Sequence, residues 1–207
     1  MNSWAGDFGR EYTDRNPQSV EEMNALYEKL FGVSRVELNQ EFLGDLDRDL
    51  RILEVGSNVG VQLQILQKMG FHDLYGIELQ HYALELSKQK TQNINLIWGS
   101  AFDIPFRDGF FDLVFTSGVL IHISPNDIAQ VLSEIYRCSK KYVWGFEYYA
   151  DEYQSIEYRG RKDLLWKTNF LKLYQDHFSA LRLVREKRVS HIDSNNEDLM
   201  FLLERTP

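Results

Sequence analysis

The nine residues ILEVGSNVG, 52 to 60, decide how this chain reads. An apolar run carries an acid at Glu54 and ends in a turn with two glycines, Gly56 and Gly60, around Ser-Asn-Val. An apolar run closed by Gly56 is a buried strand. The helical spacing of apolar residues from Val59 to Met69, stopped by Gly70, makes the next element a helix. Strand, glycine turn and helix together offer backbone N–H groups and the positive end of a helix to a ligand. The turn is poorer in glycine than the dinucleotide fingerprint G-x-G-x-x-G, since Asn58 holds the second position and Val61 the third. Asn is the non-glycine residue most at ease with positive φ, so Asn58 leaves the turn intact. Glu54 lies two residues before Gly56, on the same face of the strand. An anion there disfavours a pyrophosphate and favours a cationic ligand.

The pattern continues outward from this turn. DLYGIEL (73–79), INLIWG (94–99), FDLVFTSGVL (111–120) and KYVWGFEYY (141–149) read as strands. Helices are expected over His81 to about Gln92, from Ser124-Pro125 to about Arg137, and over Asp163 to Phe178. The chain closes with two strands, LRLVREKRVS (181–190) and EDLMFLLER (197–205), joined by the turn-rich HIDSNN. Before the first strand, Ser19-Val-Glu-Glu22 and Ser34-Arg-Val-Glu37 have capping-box spacing and open two helices, the first to about Leu30. Residues 1 to 18 read as irregular and polar-aromatic, although Trp4, Phe8 and Tyr12 recur at a spacing that suits a helix packed over the site. Alternating strands and helices imply βαβ crossovers, and the final hairpin inserts one antiparallel strand. The expected fold is α/β, a Rossmann-like, doubly wound, mostly parallel seven-stranded sheet with an antiparallel last strand. An N-terminal helical cap or lid over 1–48 is expected to precede the main domain, 49–207.

The bulk properties narrow the function. The chain has 207 residues, 43% of them apolar and 26% charged, which suits a globular fold with a sizeable core. A net charge of -8 argues against a protein that coats nucleic acid. Cys138 is the only cysteine, so no internal disulfide is expected, and the histidines lack ligand-like spacing, so no metal site is expected. No secretory signal and no run of ~20 apolar residues is visible, which predicts a cytoplasmic protein without membrane insertion. The sequence assigns no oligomeric state.

Motif by motif, the chain resembles the class I S-adenosylmethionine-dependent methyltransferases. EVGSNVG (54–60) is similar to that family's E-x-G-x-G-x-G, with Asn58 for the middle glycine. IEL (77–79) is similar to its second motif, WGSAFDIPF (98–106) to its adenine-binding motif with Ser100 for the usual Asp, and FDLVFTSGVLIHI (111–123) to its fourth-strand motif. The resemblance implies S-adenosylmethionine as cofactor and S-adenosylhomocysteine as product. It implies cofactor contacts from Glu54, Gly56, Asn58, Gly60, Glu78, Leu79, Ser100, Ala101, Phe102 and Ser117. Glu78, ending the second strand, is placed to accept the ribose hydroxyls. Four further stretches, WAGDFGREYTDRN (4–16), GVLIHI (118–123), EYY (147–149) and YRGRKDLLWKTNF (158–170), resemble the pseudaminic acid biosynthesis-associated methylases. That resemblance implies a small-molecule substrate, a bacterial surface sugar of the nonulosonic acid type or its nucleotide-linked precursor.

Individual residues then take expected roles. His122, after the fourth strand, is the first candidate for a general base toward a hydroxyl or amine, and Glu147 the second. Tyr149, Tyr158 and Arg159 are candidate substrate contacts, Arg159 as a grip for a carboxylate or phosphate. Tyr12 and Arg15 belong to the expected lid, with Arg15 facing the methionine carboxylate. Two other readings stand beside this one. A nicotinamide-dependent oxidoreductase is disfavoured by the missing fingerprint and the closing hairpin. A non-catalytic cofactor-binding subunit of a glycan pathway would carry the same motifs and transfer nothing.

Overall fold

In the computed structural model, which describes residues 2 to 206, RILEV forms strand β1 (Arg51–Val55), with Ile52, Leu53 and Val55 essentially inaccessible to water. Each such side chain removed from water contributes roughly 1.5–3 kcal/mol, which is why the run is a buried strand. The chain divides into two compact units, Met1–Ser100 and Ala101–Pro207.

The first unit opens with four helices: α1 (Asn2–Ala5), α2 (Asp7–Arg15), α3 (Val20–Phe31) and α4 (Arg35–Leu43). Of residues 1 to 18, expected to be irregular, 2 to 18 are described and are mostly helical. Trp4 meets Phe8 and Tyr12 edge-on at centroid distances of 5.1 and 5.3 Å, so the four-residue aromatic spacing outweighs the polar composition. Ser19 caps α3 by accepting from the Glu22 amide, and Ser34 and Glu37 make the full capping box on α4. After β1 come α5 (Val61–Lys68), β2 (Asp73–Glu78), α6 (His81–Lys90) and β3 (Asn95–Trp98). The strands β1, β2 and β3 pair in parallel, with Glu54 opposite Gly76 and Glu78 opposite Trp98.

The second unit holds β4 (Phe111–Ser117), a 3-10 turn at Leu120–His122, α7 (Ile128–Cys138) and β5 (Ser139–Tyr149). It continues through β6 (Gln154–Ser155), β7 (Trp166–Lys167), α8 (Phe170–His177), β8 (Leu181–Ser190) and β9 (Glu197–Arg205). β4 and β5 are parallel, whereas β9 is antiparallel to both β5 and β8. The seven-stranded sheet has the order β3-β2-β1-β4-β5-β9-β8, with the last strand inserted next to β5. The fold is thus the mixed α/β, Rossmann-like sheet that the alternation predicts.

Two helix boundaries differ from the sequence reading. α7 begins at Ile128, because the Ser124 carbonyl accepts from both Asp127 and Ile128 amides and folds Pro125 into a turn ahead of the helix. The helix expected over 163–178 is only α8, capped by Asn169, whose Oδ1 accepts from the Lys172 amide at 2.9 Å. Its expected first half instead pairs Trp166 with Ser155 in a two-stranded sheet, and Asp163 takes a φ of 61° that no helix tolerates. The apolar run Leu164-Leu165-Trp166 continues the helical spacing of α8, which is why the pattern was ambiguous.

Candidate active site

In the first unit the predicted cofactor residues gather at the carboxyl ends of β1 and β2. The turn after β1 needs left-handed backbone at three positions: Gly56 at φ 75°, Asn58 at 47° and Gly60 at 79°. The Gly56 and Ser57 amides both donate to the Ile77 carbonyl, at 2.9 and 3.0 Å, which ties the turn to β2. The Glu78 carboxylate completes the tie. It accepts from the Asn58 amide at 2.8 Å and from the Gln80 amide at 2.7 Å, so one side chain fixes both the turn and the entry to α6. Burial raises its carboxyl above the ordinary carboxylate value, and the backbone amides of Gln80, Asn58 and Leu79 pull it part of the way back.

Glu54 is 3% exposed, and burial holds its carboxyl well above the usual range. The Arg35 guanidinium opposes that rise and Glu78 adds to it. Glu54 Oε2 and Asn58 Oδ1 are buried with no hydrogen-bond partner among the described residues. Two orphaned acceptors at a glycine turn, one on a carboxylate, suit the ammonium end of S-adenosylmethionine, so the residues present fit that group.

The N-terminal helices dock beside this turn. Gln80 caps α6, its Oε1 accepting from the Tyr82 amide, while its Nε2 donates to the Ala5 and Gly6 carbonyls at 3.1 and 2.8 Å. Tyr82 donates to Asp14 at 2.8 Å, and the Arg10 guanidinium lies 4.5 Å from the Tyr82 ring centre. Tyr12 is half-buried against Trp4. Arg15 is exposed and sits 3.6 Å from Glu11. Leu79 is half-buried after β2, and Ser100 closes the unit beyond β3.

In the second unit, Ala101 and Phe102 lie in a turn, where the Phe102 carbonyl accepts from Gln130 Nε2 at 3.0 Å. Ser117 ends β4 opposite Phe146 of β5. His122 follows in the 3-10 turn, its Nδ1 2.9 Å from the Leu164 carbonyl. A carbonyl can only accept, so Nδ1 carries the hydrogen and Nε2 is the basic nitrogen. Burial depresses the imidazole to about 4, so it is neutral at neutral pH. The Tyr158 ring lies 5.8 Å from the imidazole. Arg159 stands at the exposed tip of a two-residue turn between Tyr158 and Arg161, with φ positive at Arg159 and Gly160. Tyr149 is buried, its hydroxyl donating to Asp151 and accepting from Arg188, whose guanidinium lies 4.0 Å over the ring. Glu147 is 1% exposed. Its carboxyl is pushed up to about 7 by burial, against hydrogen bonds from Thr116 and the turn amides.

Residues 53–144 match the methyltransferase-domain family. That stretch is similar to a methyltransferase domain. Solved structures share its fold at low identity. A Pyrococcus horikoshii protein matches with a TM-score of 0.70 and 16% identity, covering 95% of this chain and 99% of its own. The 1,6-didemethyltoxoflavin-N1-methyltransferase of Burkholderia thailandensis matches at 0.69 and 14%, covering 100% of this chain and 85% of its own. The magnesium protoporphyrin IX methyltransferase of Synechocystis PCC 6803 matches at 0.69 and 14%, covering 99% and 94%. No curated protein matches the sequence.

Sequence reasoning missed two residues that organise the first unit. Gln80 was legible only as the residue before a helix. Arg35 is fully buried, donating from Nε to Asn39 at 2.9 Å and from Nη1 to the Tyr27 hydroxyl at 2.7 Å. The signal was present in the spacing: Arg35 and Asn39 lie on the face of α4 that also carries Leu38 and Phe42.

Proposed function

We propose that this protein transfers a methyl group from S-adenosylmethionine to a hydroxyl or amine of a bacterial surface-sugar precursor, a nonulosonic acid or its nucleotide-linked form. The sugar class rests on the four stretches that resemble the pseudaminic acid biosynthesis-associated methylases. The observation that carries the acid–base part is the fixed orientation of His122, whose Nδ1 is engaged by the Leu164 carbonyl.

Bound S-adenosylmethionine supplies an electrophilic methyl group on a sulfonium. Glu78 would accept the ribose hydroxyls, while Glu54 and Asn58 would receive the ammonium. Gly56 and Gly60 let the backbone approach closely, and Ser117 and Arg15 complete the methionine side. Leu79, Ser100, Ala101 and Phe102 flank the adenine. His122 Nε2 takes the proton of the acceptor hydroxyl or amine; its low basicity makes it a relay that does not keep the proton. Glu147 is the second candidate for that step. Tyr158 and Arg159 hold the acceptor, Arg159 at an anionic group, with Tyr149 beside them. Direct displacement demands alignment above all, and the cap over 1–48, with Tyr12, would exclude water from the donor while the domain over 49–207 performs the transfer. The expected setting is the cytoplasm.

The test is mass spectrometry of the purified protein with S-adenosylmethionine and a panel of nonulosonic acids, their nucleotide-activated forms and ordinary nucleotide hexoses. A methylated sugar formed only with protein supports the reading and ranks the substrates. The structural neighbours named for toxoflavin and porphyrin chemistry favour a second reading, another small-molecule acceptor. Cofactor binding without any sugar product would shift the reading to such an acceptor or to a non-catalytic glycan-pathway subunit.

A further inference from the structure

Glu147 is a buried carboxylate whose surroundings are almost entirely backbone amides. The Val119 amide donates to its Oε1 at 3.2 Å and the Ile121 amide to its Oε2 at 3.4 Å. The Thr116 hydroxyl and the Leu120 amide also hydrogen-bond to it. These amides belong to the tight turn that carries His122. The turn's own bonds do not use these three donors, since they run from His122 N to the Val119 carbonyl and from Ile123 N to the Leu120 carbonyl. A second anchor lies one residue earlier on β5, where the Phe146 carbonyl accepts from the Gly118 amide at 2.9 Å. The turn is thus hung from β5 at one side and from Leu164 through His122 at the other.

We propose that Glu147 is not the second base but the positioning residue for His122: its carboxylate gathers the amides of the 119–121 turn and so sets where the imidazole stands, without touching the substrate. The proposal rests on the reading of His122 as the base. A carboxylate suits this task because both oxygens only accept, so it can serve three amides and a hydroxyl at once. A glutamine cannot, since its NH2 would face an amide N–H. Protonation has a similar effect, because the new O–H must find an acceptor among donors. The groups facing Glu147 are few. β4 presents Thr116, β9 presents Leu199 across the strand pair, and α8 presents the Tyr174 hydroxyl, which burial raises first and the Glu147 charge second.

The test uses NMR of the full chain without substrate. In the wild-type protein, the Val119 and Ile121 amide shifts should titrate together near pH 7, and long-range nitrogen spectra should show His122 with hydrogen on Nδ1. In Glu147→Gln, those amides should exchange at least tenfold faster with solvent, and His122 should move from about 4 toward its ordinary value of 6.5. Amides that do not titrate in the wild type, or a folded Glu147→Gln with unchanged His122 and unchanged exchange, would overturn the proposal. If Glu147→Gln does not fold, the wild-type titration decides alone. Loss of the base reading is a separate result: an unaltered methylation rate in His122→Ala would remove the base and leave the Glu147–His122 coupling standing.

Discussion

Glu78 offers a direct way to separate the architecture of the cofactor turn from its chemistry. Its two oxygens accept from the Asn58 and Gln80 amides at 2.8 and 2.7 Å, holding the glycine turn and the start of α6 in one grip. Replacing Glu78 with Ala orphans both amides. Hydrogen bonds to charged groups are worth about 1.5–3 kcal/mol each, yet burial raises this carboxyl and offsets part of that gain, so the net loss of apo stability should be about 2 kcal/mol. Glu78→Gln keeps one carbonyl oxygen and should lose about half as much. Cofactor binding adds a separate effect. If the carboxylate also accepts the ribose hydroxyls, Glu78→Ala should raise the Kd for S-adenosylmethionine by about 100-fold, the equivalent of about 3 kcal/mol. Urea denaturation of the ligand-free protein reads the first quantity, and isothermal titration with S-adenosylmethionine the second. An Ala variant as stable as the wild type would refute the role as a tie between turn and helix. An unchanged Kd would refute the ribose assignment even if the stability loss appeared.

Three further outcomes follow from particular contacts. Glu147 lies at about 7 against an ordinary 4.5, so the folded chain keeps a proton that the unfolded chain releases, and stability falls as pH rises through that window, by about 3 kcal/mol in all. About 2 kcal/mol of that lies between pH 5.5 and 8.5, and Glu147→Gln, with no proton to release, should remove it; a wild-type-to-variant gap that is the same at both pH values would contradict this. His122→Ala should lower methylation about 100-fold with little change in cofactor Kd, once mass spectrometry has identified an acceptor. In Gly9→Ala the new Cβ would stand 1.8 Å from the Trp4 carbonyl oxygen, so α1 must leave α2. That should cost about 1–3 kcal/mol and speed proteolysis at the N-terminus, and an unchanged cleavage pattern would contradict the packing.

The sheet was legible because its strands carry apolar runs, and β1, β3 and β4 are closed in addition by Gly56, Gly99 and Gly118. The antiparallel run of the last strand followed from a connection too short for a helix, whereas its place beside β5 is a finding of the structure. The Asn58 turn was legible for a stronger reason, since only a residue tolerant of left-handed backbone can stand at φ 47° there. What failed was local. Leu164-Leu165-Trp166 fits a helix by spacing, and only the pairing of Trp166 with Ser155, a tertiary contact, makes it a strand. The partners of a buried charge were equally hidden. Glu54 was readable as an acid in a strand, but nothing in the sequence joins it to Arg35, because burial of an arginine is decided by which face of α4 turns inward. His122 was readable as a candidate base by type, whereas its depression to about 4 depends on burial.

The Arg35 network explains how an acid can persist in the middle of a Rossmann-like strand. Burial favours the protonated form of Glu54, and the nearby Glu78 favours it further. The guanidinium of α4 opposes both. It can do so from a fixed position because Tyr27 and Asn39 hold it, and Asn39 in turn donates to Gln62 of α5 at 3.3 Å. The countercharge acts through space and leaves Glu54 Oε2 with no hydrogen-bond partner among the described residues. The remaining acceptor capacity is what an ammonium group can satisfy and a phosphate cannot. On the proposed reading, the N-terminal helices contribute to cofactor binding itself: Arg35 brings a countercharge that partly offsets the burial of Glu54, and an ammonium group would supply the rest.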